Sequence, residues 1–159
     1  MRVYSTRASR NLRATPAQVY RALTDGELVG RWRVPEGMTS HVHQFDVHEG
    51  GRFRVSLTYD RRTEAGKSSA HTDTYRGRFL LLVENERVVE ALEFETDDPA
   101  LSGLMTMTTT ITPTSLGALV EIVHDGVPDA IRRADNEAGM EMALTRLAAL
   151  VEAGPRGDR

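Results

Sequence analysis

The sequence predicts an α+β fold in which an antiparallel sheet packs against a long C-terminal helix. The first observation is that apolar residues change from helical spacing to strict alternation at about Thr39, and a period of two is typical of strands with one buried face. The second is the pair Gly50-Gly51, which separates two alternating runs as in a β-hairpin. The third is a return to helical spacing from Met140 to Val151.

Length and composition limit the domain organisation. The 159 residues fit a single domain, assigned to residues 1–153, and a domain of this length buries roughly 70% of its unfolded surface. Residues 154–159 are predicted to form a disordered tail. The sequence contains no cysteine, which excludes disulfide bonds and thiolate metal sites.

Charge and hydropathy exclude two classes of partner. The net charge is −3, with both signs interspersed along the chain, so there is no basic stripe for nucleic acid. No apolar run reaches the roughly 18 residues that a membrane span needs. The N-terminal residues lack the apolar segment of a signal peptide. We therefore expect a cytoplasmic protein with no nucleic-acid partner and no membrane span.

The N-terminal part of the chain predicts one strand and two short helices. Residues Val3 to Leu12 tolerate a strand. Thr15 precedes a proline, so its hydroxyl can cap a helix from Pro16 to Thr24 with proline in the first turn. Asp25 can cap a second short helix that ends before Pro35.

The middle of the chain predicts successive antiparallel strands, each with one inward face. Turn-forming residues separate them, including a charged loop from Asp60 to Ser69 and a tight turn at Glu84-Asn85-Glu86. The predicted inward sets are His41, His43, Phe45 and Val47; Phe53, Val55, Leu57 and Tyr59; Tyr75, Gly77, Phe79, Leu81 and Val83; Val88, Leu92 and Phe94; Met105, Met107, Thr109 and Ile111; and Ala118, Val120, Ile122 and His124.

The last element is predicted to be a helix. Asp129 or Asp135 can cap it, and Gly154-Pro155 is predicted to end it. Gly139 lies inside the helix, where glycine costs about 1 kcal/mol relative to alanine. We interpret this glycine as a point of close approach between the helix and the sheet.

Several segments in this order resemble one family. They are the opening helix, an aromatic residue that ends the second helix, a glycine hairpin and a central strand. The segments are Ala14 to Asp25, Trp32, Phe45 to Phe53 and Tyr75 to Phe79. From Arg7 to Glu152 the chain resembles the SRPBCC superfamily, and within it the branch named for activators of the ninety-kilodalton heat-shock chaperone ATPase.

The resemblance implies a START-like helix-grip fold. In that fold a curved antiparallel sheet of about six or seven strands wraps a long C-terminal helix, and two short helices follow the first strand. A cavity lies between the sheet and the last helix. One departure concerns the cavity wall, because this chain has Gly139-Met140 where the family commonly has Gly-Trp. The flexible methionine predicts a more adaptable wall at this point.

The function that we favour from the sequence is binding of a small hydrophobic molecule in this cavity. The alternation of the strands also predicts that a set of polar residues faces inward. They are His41, His43, Tyr59, Asp73, Tyr75, Glu90 and His124. Such groups must satisfy one another or line a wet cavity. The candidate ligand-binding residues are Trp32, Phe45, Tyr59, Tyr75, Met105, Met107, His124 and Met140.

Two histidines on one predicted strand raise the question of a metal site. His41 and His43 share one predicted strand face, about 7 Å apart by the rise per residue, and a third ligand would have to come from His71, Asp73 or His124. The competing interpretation is a solvated edge strand. Because no HExxH or comparable ligand motif is present, we predict no metal and no cofactor.

Two other functions remain open from the sequence. One is a module that regulates a chaperone or another protein without any ligand, as a monomer or homodimer. The other is catalysis of the cyclase or aromatase type, in which His124 would need Asp73 or Glu90 as an acid-base partner. No GxSxG elbow is present, no catalytic residue is assigned, and an enzyme is the less favoured alternative.

The Gly50-Gly51 pair also raises the question of a phosphate-binding loop. Such loops place the anion at a helix N-terminus. Here the pair lies between two predicted antiparallel strands, so a turn is the favoured interpretation.

Overall fold

A computed structural model describes residues 2–60 and 72–158. These residues form one seven-stranded antiparallel sheet in the order β1-β7-β6-β5-β4-β3-β2, with two short helices after the first strand and a long helix at the end. The elements are β1 (Val3–Leu12), α1 (Pro16–Thr24), α2 (Gly26–Trp32), β2 (Met38–Phe45), β3 (Arg52–Tyr59), β4 (Thr72–Val83), β5 (Arg87–Phe94), β6 (Met105–Thr114), β7 (Gly117–Pro128) and α3 (Arg133–Asp158). The predicted helix-grip α+β fold is confirmed.

The two short helices begin where the sequence predicted. The Thr15 hydroxyl accepts a bond from the Gln18 amide at 3.1 Å, and the Gln18 side chain accepts one from the Thr15 amide at 2.8 Å. This reciprocal capping box satisfies two backbone donors that a helix start leaves free. Asp25 accepts bonds from Glu27 and Leu28 at the start of α2. The buried Trp32 indole then donates to the Ala22 carbonyl at 2.8 Å, which joins α2 to α1.

Aromatic rings fill the core beneath β3 and β4. Phe53 and Phe79 are almost completely buried, and their ring centroids lie 5.3 Å apart. Phe45 packs edge-on against Phe79 at 5.3 Å, and Tyr75 packs against Phe53 at 6.1 Å. These distances and tilts are the ones that aromatic pairs favour. The predicted inward alternation of β3 is therefore correct.

A β-bulge corrects the predicted face of β2. The pairing with β3 shifts between Val42 and Gln44, so His43 is the additional residue on β2. A bulge moves the following side chains to the opposite parity, and Val42 and Phe45 pack on the core while His41 and His43 are exposed. The predicted inward placement of both histidines is therefore wrong. Val47, also predicted inward, lies beyond the strand and is 40% exposed.

A second bulge corrects the end of β4. The pairing with β5 shifts between Phe79 and Leu81. As a result Leu81 is exposed and Leu82 packs against the core. The predicted inward placement of Leu81 is wrong for the same reason as in β2, because one additional residue inverts the alternation.

The glycine pair closes the β2–β3 hairpin through a six-residue loop, residues 46–51. Gly50 has a φ of +86°, and a Cβ on Gly51 would lie 2.0 Å from the Asp46 carbonyl oxygen. Both positions therefore require glycine. The loop also bonds to β4, since the Gly50 amide donates to the Phe79 carbonyl at 2.7 Å. The pair is a turn, as predicted.

The last helix packs its apolar stripe on the sheet. Its buried residues are Met140, Leu144, Leu147, Ala148 and Val151. The helix begins at Arg133, so Arg132 stands at the position before it and neither predicted cap is correct. The helical backbone also continues past Gly154-Pro155 to Asp158, since the φ of proline is itself compatible with a helix.

Gly139 does not mark a close approach to the sheet. A Cβ built on this residue would have no atom within 4 Å, and the residue is exposed. The interpretation of Gly139 as a point of close approach is therefore wrong. The predicted loop from Asp60 to Ser69 lies, apart from Asp60, outside the described residues.

Candidate functional site

A cavity of about 290 Å³ lies between the sheet, the segment after α2 and the first half of α3. Strands β3 to β7 supply about half of the residues in its wall, and the exposed Gly139 lies on its α3 side. The apolar members of the wall are Trp32, Val34, Pro35, Leu57, Leu92, Phe94, Met105, Met107, Ile122, Ile131, Met140 and Ala143. The wall of the cavity is therefore predominantly apolar.

Six of the eight candidate ligand-binding residues line this cavity. They are Trp32, Tyr75, Met105, Met107, His124 and Met140. The other two lie elsewhere. Phe45 packs on Phe53 and Phe79 on the far side of the aromatic cluster. Tyr59 stands at the end of β3, two residues beyond the cavity residue Leu57. Neither residue therefore lines the cavity, which covers only part of the inward face of the sheet.

Tyr75 places a hydroxyl in this wall. The residue is 6% exposed, and within residues 2–60 and 72–158 its hydroxyl has no hydrogen-bond partner. Burial raises the pKa of the hydroxyl above its ordinary value, so the phenol stays protonated at neutral pH. It can therefore donate one hydrogen bond and accept others.

His124, on β7, places an imidazole in the same cavity wall. The Asn136 amide nitrogen lies 3.3 Å from the His124 Nδ1, and Thr6 bonds to the other end of the same amide. His124 is 6% exposed, and no described residue is a partner for its Nε2. Burial, reinforced by the charge of Arg33, lowers the pKa of His124 from 6.5 to about 4. The ring is neutral at pH 7.

Arg33, which the sequence did not single out, places a cation in the cavity wall. Its guanidinium lies 2.8 Å from Glu90, and the two side chains are only 12% and 4% exposed. The same group lies over the ring of Tyr75 at 5.4 Å and that of Trp32 at 5.9 Å. Burial opposes the charge, but the Glu90 carboxylate holds the pKa of Arg33 above its ordinary value.

Strand register explains how these groups are spaced. Glu90 pairs with Met107 across β5 and β6, and Met107 pairs with His124 across β6 and β7. The Met107 thioether therefore stands between the ion pair and the imidazole, and it contacts Arg33 at 3.7 Å. The predicted acid-base partner Glu90 is bonded to Arg33, while His124 is bonded to Asn136.

The two histidines of β2 are arranged differently from a metal site. Their ring centroids lie 4.5 Å apart, edge to face, and the His43 Nε2 bonds to the Ser56 hydroxyl at 2.7 Å. Among the described residues, no group of three or more metal-ligating side chains is placed to hold an ion. His71 lies outside those residues.

No helix in the described part of the chain is long and apolar enough to cross a membrane.

Comparison with known proteins agrees with the fold. Residues 13–152 match the model of a family described as activator of Hsp90 ATPase homolog 1-like protein. A comparison with curated proteins found no match.

Solved structures from several bacteria are similar over nearly their whole length. A protein from Chromobacterium violaceum is 36% identical with a TM-score of 0.83, and the match covers 93% of this chain and 96% of that one. A protein from Rhodobacter sphaeroides is 22% identical with a TM-score of 0.76, over 96% and 98% of the two chains. A protein from Arthrobacter aurescens is 14% identical with a TM-score of 0.78, over 94% and 86%. The last two show a shared fold.

Proposed function

Because the chain belongs to the family of activator of Hsp90 ATPase homolog 1-like proteins, in which a cavity separates the sheet from the last helix, we propose that it binds a small, largely apolar molecule there. The observation that carries this proposal is the 290 Å³ cavity itself, which has a predominantly apolar wall. Ligand sites in proteins are typically concave, apolar and provided with a few polar groups.

The size and the composition of the wall support a small ligand. The volume stands at the lower end of the range for drug-sized ligands, about 300 to 1,000 Å³. Met105, Met107 and Met140 all line the cavity, and methionine adapts its shape to different apolar partners. The proposed ligand is therefore compact, and the wall tolerates some variation in its outline.

A chaperone-regulating module without a ligand would not require this cavity. Such a module would act through its surface, and a filled interior would serve it better, because packing contributes to stability. The open cavity is the reason for preferring ligand binding.

Gly139 offers a direct test of this proposal. It lies on the exposed side of the cavity and a side chain added there meets no atom within 4 Å, so Gly139→Phe should narrow or close the opening. The matched control is Gly139→Ala, which adds a single methyl group at the same position.

Native mass spectrometry with a broad library of lipids and small aromatic molecules should find a ligand for the unmodified protein. The same ligand should bind Gly139→Ala and bind Gly139→Phe at least tenfold more weakly, since about 1.4 kcal/mol of steric cost has that effect. Absence of any ligand, or equal binding by both variants, would contradict the proposal.

A further inference from the structure

We infer that His124 holds a fixed N–H donor at Nε2 within the cavity wall, and that the natural ligand is a neutral molecule with a hydrogen-bond acceptor, such as a carbonyl oxygen. This inference rests on the proposed function and adds the chemical class of the ligand.

The orientation of the imidazole proton follows from a chain of three side chains. Thr6 on β1 donates to the Asn136 Oδ1, which leaves the amide nitrogen facing the ring. An amide nitrogen has only donors to offer, so the His124 Nδ1 must accept. In a neutral imidazole one nitrogen accepts and the other carries the proton. The proton is therefore on Nε2.

The other end of this ring has no partner among the described residues. His124 is 6% exposed, and its Nε2 makes no hydrogen bond to residues 2–60 or 72–158. The Tyr75 hydroxyl, in the same cavity wall, shares this condition. A buried donor without a partner costs as much as a lost hydrogen bond. The Nε2 atom is enclosed by its neighbours, so a ligand acceptor reaches it when a flexible methionine of the wall moves aside. That contact would remove the cost, and the apolar wall would bind the rest of the molecule.

Charge in the wall favours a neutral ligand over a carboxylate. Arg33 is the cation of the cavity, and Glu90 already pairs with it at 2.8 Å. A ligand carboxylate would have to displace the Glu90 carboxylate in order to pair with Arg33. A neutral acceptor needs no such exchange and still satisfies the imidazole donor.

Two probes of nearly equal shape distinguish a hydrogen bond from His124 from binding by apolar contacts alone. 2-Acetylnaphthalene carries a carbonyl acceptor, and 2-isopropylnaphthalene has a carbon branch in the same place. Equilibrium dialysis gives the ratio of the ketone's affinity to the hydrocarbon's affinity, and the difference in apolar surface between the probes acts equally in both proteins. His124→Phe keeps a flat ring and should lower this ratio about fivefold to tenfold, as expected for the loss of one net hydrogen bond. His43→Phe on the exposed face of β2 is the matched control and should keep the wild-type ratio.

Three outcomes are distinguishable. If neither probe binds the unmodified protein, the proposed function fails, and the assignment of a ligand class fails with it. If the probes bind and His124→Phe leaves the affinity ratio unchanged, ligand binding stands and the inferred donor is wrong. Long-range ¹H–¹⁵N NMR of the unliganded protein gives an independent readout, in which His124 should be protonated at Nε2. A proton at Nδ1 would overturn the inference whatever the probes show.

Discussion

Arg33 holds a charge in the wall of a largely apolar cavity because Glu90 stands beside it. The two side chains are 12% and 4% exposed. Removing both charges from water costs several kcal/mol per ion before their attraction repays it. The pair is therefore a means of positioning the guanidinium over Tyr75 and Trp32, rather than a large source of stability.

Removal of one partner should be far more harmful than removal of the pair. Glu90→Gln leaves a buried cation unpaired and should lower the free energy of unfolding by about 3 kcal/mol in urea denaturation. The matched control is Glu93→Gln, which breaks a solvent-exposed pair with Arg76 and should cost under about 1 kcal/mol. Equal effects of the two variants would contradict a buried ion pair. The double variant Arg33→Met with Glu90→Met should recover most of the loss.

His124 should make stability depend on pH. Its pKa is 6.5 when exposed and about 4 in the fold. Between these values the unfolded chain binds a proton that the native protein does not bind, so stability is complete above about pH 6.5 and falls as the pH falls. The loss between pH 7 and pH 5 should be about 2 kcal/mol.

His124→Gln provides the comparison for this pH dependence. Glutamine keeps a hydrogen-bonding side chain and does not titrate. Other groups, such as Glu95 with its pKa lowered by the hydrogen bond from Arg54, act in both proteins and cancel in the difference. Urea denaturation at pH 7 and pH 5 should therefore show a smaller loss for the variant. Identical losses would show that His124 is solvated in the native protein.

At the level of helices and strands, Gly139 lies within α3 without a packing reason. A Cβ at this position would have no atom within 4 Å, and its backbone is helical. Gly139→Ala should therefore raise the free energy of unfolding by about 0.5 to 1 kcal/mol, because alanine loses less backbone entropy on folding. Thermal unfolding measured by circular dichroism tests this expectation. A destabilised variant would mean that the position contacts another group.

The periodicity of the sequence was sufficient to predict the helices and strands but not the β-bulges within the strands. Alternation placed the inward faces of β3, β6 and β7 correctly, since the β3–β4 and β6–β7 ladders have no register shift. It failed at His43 and Leu81, because a bulge is decided by how two strands meet and leaves no local pattern. Arg33 was missed for a related reason. It follows a helix, and its partner Glu90 lies 57 residues further along the chain.

For the molecule as a whole, the two edges of the sheet are β1 and β2. An open edge offers unpaired backbone groups to other chains, and a bulge is one device that prevents such pairing. The bulge at His43 lies on the edge strand β2, where regular pairing would leave a flat border. We therefore expect the bulge to hinder pairing of β2 with the edge strand of another chain.

Deletion of His43 should restore continuous pairing, because Val42 and Gln44 already oppose consecutive residues of β3. The shortened protein should associate more strongly with rising concentration in multi-angle light scattering. His43→Ala removes the same side chain but keeps the bulge, and it should behave as the unmodified protein does. Equal scattering by the two variants would show that the bulge does not protect this edge.

The pairing of β1 with β7 also has a consequence for the order of folding. Val3 lies opposite Pro128 in this ladder. The first strand can therefore pair only after most of the chain has been synthesised. Contacts between distant segments form slowly, because a long loop must close before they contribute. Thr6, which orients Asn136, belongs to β1. During synthesis, the polar side of the cavity is therefore among the last parts of the protein to take its final form.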